Sequence, residues 1–186
     1  MGQGPEWQLE RYRAWLALQV RQLQLDPRLQ RRFDSSDLVQ ETLLRAHENL
    51  QQFRGLNEAE LLRWLQEILA HALVDECRKA HAQKRDVDLE QSLQTVMADS
   101  AARLGEYLVA PGPTPGQEAR RQEMLLQLAA ALDQLPQDQR DAIIHHHLLQ
   151  TPLAQIAQHM ERTEKAIAGL LYRGKRRLRE LLESVF

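Results

Sequence analysis

Apolar residues recur at every third or fourth position along most of the chain, the spacing of one buried helix face, and Asp, Pro and Gly interrupt the pattern. Leu9, Tyr12, Leu16, Val20 and Leu23 predict a first helix from Trp7 to Leu25, broken by Asp26-Pro27. A second follows Asp34, Ser35, Ser36 and Asp37, whose short polar side chains are good caps. It runs from Leu38 to about Leu50 with Val39, Leu43, Ala46 and Leu50 inward, and Phe53, Arg54 and Gly55 end it. The third begins near Asn57 or Glu58 and continues to about Ala82, burying Leu61, Leu65, Ile68, Leu69, Ala72 and Leu73. From Asp86 to Gly116 the pattern weakens, although Leu89, Leu93, Val96, Leu104 and Leu108 allow short helical pieces. Residues Ala110 to Gly116 hold three prolines and two glycines, a composition that reads as a linker. Beyond it Leu125, Leu128, Leu132 and Leu135 mark another helix, and Leu135-Pro136 opens one carrying Ala142, Ile143, Leu148 and Leu149.

The last segment is the most informative. Thr151 is placed to cap a helix with Pro152 at its first position, where a missing N–H costs nothing. Leu153, Ile156, Ala157 and Met160 share one face of that short helix. After a turn at Glu161, Arg162 and Thr163, a longer helix carries Ile167, Leu170, Leu171, Leu178, Leu181, Leu182 and Val185 as a single apolar stripe. Short helix, turn and long helix make the layout that places a helix in the DNA major groove. The face opposite the stripe carries Lys165, Gly169, Tyr172 and Arg176, with Arg162 and Thr163 at the helix entrance and Arg173 and Arg179 flanking. Residues 172 to 179 contain five Arg or Lys and no acid, more than one helix end needs for its dipole and what phosphate contact requires.

Composition narrows the class. With 33 Leu against seven Val and five Ile, and few aromatics, the apolar content favours helix packing over sheet. An all-α protein of two small helical domains is expected from 186 residues. The net charge of −2 is low for a protein that grips DNA unaided, so a partner is expected to supply much of that grip. The single cysteine, Cys77, excludes an intramolecular disulfide and a CxxC metal knuckle, and is read as core filler in a reducing cytoplasm. No run approaches the roughly 20 apolar residues of a membrane span, and no membrane segment is expected.

Asp37-Leu38-Val39-Gln40-Glu41, then Phe53-Arg54-Gly55, Trp64-Leu65 and Asp75 with Arg78-Lys79, then a linker, Leu135-Pro136 with Arg140 and a basic helix-turn-helix, resembles the bacterial extracytoplasmic-function (ECF) sigma factors. The resemblance covers nearly the whole chain. Ser100-Ala101-Ala102-Arg103-Leu104 and the helix around Ala166 to Leu171 look like the version of the family seen in planctomycetes. It implies a region 2 domain over residues 1–85, a linker over 86–117 and a region 4 domain over 118–186, with the helix-turn-helix at about 151–179. The partners it implies are core RNA polymerase, through the clamp helices of the largest subunit and the flap, and promoter DNA. In many relatives an anti-sigma protein is a further partner. By the same resemblance Asp37, Gln40 and Glu41 dock on the polymerase. Phe53, Trp64, His71, Arg78 and Lys79 meet the minus-ten element, and Arg162, Thr163, Lys165, Ala168, Gly169, Tyr172, Arg173 and Arg176 the minus-thirty-five element.

The residues agree with those roles in kind. Opposite the core stripe of the third helix lie Trp64, Glu67, His71, Asp75 and Arg78, a face on which an exposed aromatic beside basic groups stacks with an unpaired base; taken alone, Trp64 fits a core position as well. The chain departs from the family pattern where His71 stands for a usual asparagine, where the segment between Phe53 and Trp64 is slightly long, and where Ala168-Gly169-Leu170 replaces a common Lys-Ser-Arg. Glu161 replaces the common turn glycine, which predicts a different turn type.

Other constellations carry less. Consecutive histidines His145, His146 and His147 point about 100° apart on a helix and cannot chelate one ion together; they are expected on the exposed side of an amphipathic helix. His71 and Asp75 lack a third ligand one turn away, so no metal site is expected. Without a phosphate loop or nucleophile motif, the chain is expected to be no enzyme and to need no cofactor. The alternative to a sigma factor is a free-standing helix-turn-helix regulator acting on duplex operators.

Overall fold

In a computed structural model of the protein, the described residues are 7–24, 34–80 and 115–183, with side chains described over 7–21, 34–76 and 119–183. All regular structure among them is helical, and the chain divides into two compact units, Met1–Leu126 and Gln127–Phe186. The expectation of an all-α chain with two helical domains is met. The weak helical pieces between Asp86 and Leu108, most of the Pro/Gly segment, Asp26-Pro27 and Val185 lie outside the described residues.

In the first unit a single 3-10 turn, Leu9–Tyr12, leads into α1 (Arg13–Gln24). Helix α2 (Ser35–Asn49) starts as its sequence dictates, with Asp34 in extended conformation and its Oδ1 accepting from Ser36 N at 2.7 Å. It closes through a 3-10 turn, Leu50–Gln52. Helix α3 (Glu58–Ala80) is entered through Asn57, whose Oδ1 accepts from Glu60 N at 2.9 Å, while Glu60 Oε2 accepts from Leu56 N at 2.6 Å. This reciprocal bonding satisfies two backbone donors at the helix start. Leu61, Leu65, Leu69 and Leu73 are four residues apart and wholly buried. They form a ridge along α3 that packs on Leu38, Val39, Leu43 and Ala46 of α2. Each such leucine contributes roughly 1.5–3 kcal/mol by leaving water. Tyr12 belongs to the same core, and its hydroxyl donates to Glu58 Oε1 at 2.9 Å, pinning the start of α3.

Helix α4 (Pro115–Asp133) begins two residues inside the segment expected to exclude helix. Pro115 is tolerated because a first-turn N–H has no intrahelical acceptor. Its C-terminal part, with α5 (Gln137–Ile143), a π-helical turn (Ile144–Leu148), α6 (Leu153–His159) and α7 (Glu164–Glu183), makes the second unit. Leu128, Leu132, Leu135, Ala142, Ile143, Ile144, Leu148, Ile156, Ala157, Ile167, Leu170 and Leu171 form its core. Gly174 of α7 lets that helix approach α5: an added Cβ would lie 2.8 Å from Ile143 Cδ1 and 3.3 Å from Gln139 Cβ.

Three expectations are corrected here. Thr151 does not cap α6; Pro152 occupies the cap position, its carbonyl accepting from Gln155 N and Ile156 N, while Thr151 N donates to His145 O at 2.9 Å. Thr151 is thereby committed to closing the preceding turn. The histidines are not on an exposed face: His145 is buried and His146 and His147 are half-buried, because the π-helical turn rotates the segment off the α-helical register. Glu161 does not change the turn type. Its φ of 52° is the left-handed value a glycine would hold there, and Arg162 N donates to Ala157 O at 2.9 Å in a Schellman closure.

Candidate polymerase-docking and DNA-binding surfaces

On α2, Asp37 and Gln40 are exposed and Glu41 is half-buried, all on one side of the helix. Asp34, Asp37, Leu38, Glu41 and Glu76 line an open hollow of about 190 Å³ between the start of α2 and the later part of α3. Four carboxylates around one buried leucine suit a basic side chain with an aliphatic stem. Leu44, 53% exposed and one turn beyond Gln40 and Glu41, continues this face with an apolar contact. The periodicity reading missed it because a leucine off the inward stripe leaves no mark in the pattern.

Glu41 is not an isolated charge. Arg45 Nε donates to Glu41 Oε1 and Arg45 Nη1 to Asp75 Oδ2, each at 2.7 Å, bridging α2 to α3. Bonds to Asp75 and Glu41 raise the already high pKa of that guanidinium further. Asp75, expected beside Trp64 and His71 on the open face of α3, is therefore committed to α2.

Phe53 and Trp64 come together as expected. Their rings stack at 5.0 Å between centroids and 30° between planes, and Trp7 meets Phe53 edge-on at 6.1 Å. Trp64 is half-buried with one face covered by Phe53, and His71 is exposed two turns along α3. Gly55 permits this stack: an added Cβ would overlap the Phe53 ring, with Cε2 at 2.6 Å. The side chains of Arg78 and Lys79 lie outside the described set. Leu56, 84% exposed, stands at the tip of the same loop.

In the second unit, α6 and α7 pack through Ile156, Ala157, Ile167, Leu170 and Leu171. Lys165, Ala168, Tyr172, Arg173 and Arg176 are exposed on the outer side of α7, and Gly169 is half-exposed among them. Two predicted contacts have other work. Thr163 Oγ1 accepts from Ala166 N at 3.2 Å and so caps α7, and Arg162 is ion-paired with Asp138 of α5. Arg176 Nε sits 3.7 Å from Glu180 Oε1 and Arg177 Nη1 3.1 Å from Glu180 Oε2. No group of three or more metal ligands occurs among the described residues, and no described helix is long and apolar enough to cross a membrane.

Known proteins share this organisation. The family Sigma-70 region 2 matches residues 9–83, and Sigma-70, region 4 matches residues 125–178. A relative, the ECF RNA polymerase sigma factor EcfG of Rhodopseudomonas palustris (strain TIE-1), is 37% identical over 111 residues, 59% of this chain and 50% of that protein. The chain thus spans about half the length of this relative. With region 2 and region 4 in order over most of its length, the chain belongs to the sigma-70 family, and its likeness to EcfG falls on the ECF side of that family.

Proposed function

We propose that this chain is an ECF sigma factor of the planctomycete-like type, which binds core RNA polymerase in the cytoplasm and directs it to promoters. Asp37, Gln40 and Glu41, with Leu44 beside them, dock on the clamp helices of the largest polymerase subunit. The second unit engages the flap and reads the minus-thirty-five element through α7. Phe53, Trp64, His71, Arg78 and Lys79 hold the opened minus-ten strand. An anti-sigma protein is the regulator that fits this reading. The protein catalyses nothing itself, and the polymerase supplies the chemistry.

The observation that carries the reading is the pairing of both sigma-70 regions on one chain with the exposed face each needs: an acidic face on α2 and a basic one on α7. A regulator acting alone on duplex DNA has no use for the acidic hollow. The test is binding of the purified chain to core polymerase, with and without promoter DNA, followed by strand opening. Replacing Asp37, Gln40 and Glu41 together with alanine is expected to weaken polymerase binding with helicity unchanged. Specific binding to duplex DNA without any affinity for polymerase refutes the proposal.

A further inference from the structure

One guanidinium touches both proposed binding faces of the first unit. Arg45 lies one turn after Glu41 on α2, and its Nε donates to Glu41 Oε1 at 2.7 Å. Its Nη1 reaches across to α3 and donates to Asp75 Oδ2, also at 2.7 Å. Glu41 lines the acidic hollow with Asp34, Asp37 and Glu76. Asp75 lies one turn after His71, on the side of α3 that also carries Trp64 and Glu67. The planar fork of an arginine suits this double role, because it presents donors in two directions, where a lysine ammonium is a single point charge.

A single positive charge is thus divided between two carboxylates on two helices. The bond to Asp75 alone would tie α2 to α3. The bond to Glu41 lies within α2, joins no further element, and brings a docking acid under the same charge. All three side chains are partly open to solvent, so a partner reaches Glu41 without unpacking the helices. A basic side chain entering the hollow competes with Arg45 for Glu41. As Glu41 turns to that partner, Arg45 stays beside Asp75 and neutralises it more fully. A bare carboxylate on a face that holds a nucleic-acid strand repels its phosphates. One lying under a whole guanidinium repels them less.

We infer that Arg45 is a positioning residue that couples the docking face to the strand-holding face: a basic polymerase side chain that takes Glu41 returns the whole guanidinium to Asp75, and α3 then accepts the opened strand more readily. The inference rests on the reading of α2 as the docking helix and of α3 as the strand holder. By linkage the strand strengthens docking by the same factor.

The test measures binding of a fluorescein-labelled single-stranded DNA of randomised sequence, at low ionic strength, by the full chain alone and by its complex with core polymerase. Glu41→Gln removes the competing charge and keeps the shape of the side chain. It is expected to raise the strand affinity of the chain alone by about 1.5- to 5-fold, the span typical of partly exposed ion pairs. Asp75→Asn should raise it as well, and Glu41→Gln added to Asp75→Asn should bring no further gain. Loss of one acid acting on the strand directly would instead be additive in the two backgrounds. Arg45→Met, with helicity checked by circular dichroism, is expected to erase the non-additivity. Core polymerase should raise strand affinity less in Asp75→Asn than in the wild type, by that same factor. The inference is overturned if Glu41→Gln leaves strand affinity unchanged, if its gain is equal with Asp75 and with Asn at that position, if the non-additivity survives Arg45→Met, or if polymerase helps the wild type and Asp75→Asn equally. A wild-type chain that binds neither polymerase nor the strand removes the underlying reading itself.

Discussion

Gly55→Ala tests whether the aromatic group around Trp64 depends on one missing side chain. The new Cβ would overlap the Phe53 ring and also stand 2.9 Å from Glu60 Cβ, where carbon contacts are normally about 3.5–4.0 Å. The alternative to moving Phe53 is to shift the start of α3, which is held by the Asn57 and Glu60 bonds. The ring is the softer partner, so it leaves its stack on Trp64 at 5.0 Å and its edge contact with Trp7 at 6.1 Å. Each aromatic pair is worth about 0.5–1.5 kcal/mol. Against the lost pairs, alanine restricts the unfolded chain and returns about 0.4–1 kcal/mol. A net loss of about 1 kcal/mol is expected. Urea denaturation followed by tryptophan fluorescence would measure it, and near-ultraviolet circular dichroism would report the lost stacking. A variant with unchanged midpoint and unchanged aromatic signal would show that Phe53 does not need the space above Gly55.

Three further outcomes are expected. Ile156→Ala, at a wholly buried position where α6 meets α7, should cost about 2–5 kcal/mol through lost transfer energy and a residual cavity, read as an earlier calorimetric transition. Glu161→Gly relieves a left-handed backbone at φ 52° worth about 1–2 kcal/mol, less the entropy glycine adds to the unfolded chain; a gain of about 0.5 kcal/mol is expected, and Glu161→Ala, which keeps the strain, should give none. His145 is buried, which with the His159 ring 4.7 Å away lowers its pKa from 6.5 to about 4. Its contribution is whole above pH 6.5. As the pH falls from there toward 4 the unfolded chain takes up a proton that the folded one refuses, a loss of roughly 3 kcal/mol at most. In His145→Leu, stability against urea should fall less steeply over that window, and parallel profiles would refute the assignment.

The parts of this fold legible in the sequence are those written in periodicity. Leu61, Leu65, Leu69 and Leu73 announce the core of α3, and Ile167, Leu170 and Leu171 fix which side of α7 is buried. Asp34 and Asn57 cap as their chemistry suggests. The missed features depend on backbone states that side-chain identity did not signal. Gln150 and Glu161 both hold left-handed φ values, 54° and 52°, where the usual signal would be glycine or asparagine. The first closes the π-helical turn that carries His145 inward, so a three-histidine run that looks polar becomes partly core. Pairings such as Arg162 with Asp138 and Arg45 with Asp75 join residues of different elements, which periodicity along one helix cannot reveal.

Those pairings bear on how a chain of net charge −2 would hold DNA. On α7, Glu180 occupies Arg176 and Arg177; on α2, Arg45 occupies Glu41. Each proposed binding surface thus carries part of its charge already engaged, and a partner competes with an internal bond. Such partly exposed pairs are individually worth only about 0.2–1 kcal/mol, so the competition is mild. It still attenuates the uniform attraction to any phosphate that drives non-specific binding, more than it attenuates a specific contact with additional bonds. On the proposed reading, with one contact on α2 and another on α7, the second would form at the effective concentration set by the first. The modest charge of the chain and the internal neutralisation of its arginines then favour DNA binding in company with polymerase over binding alone.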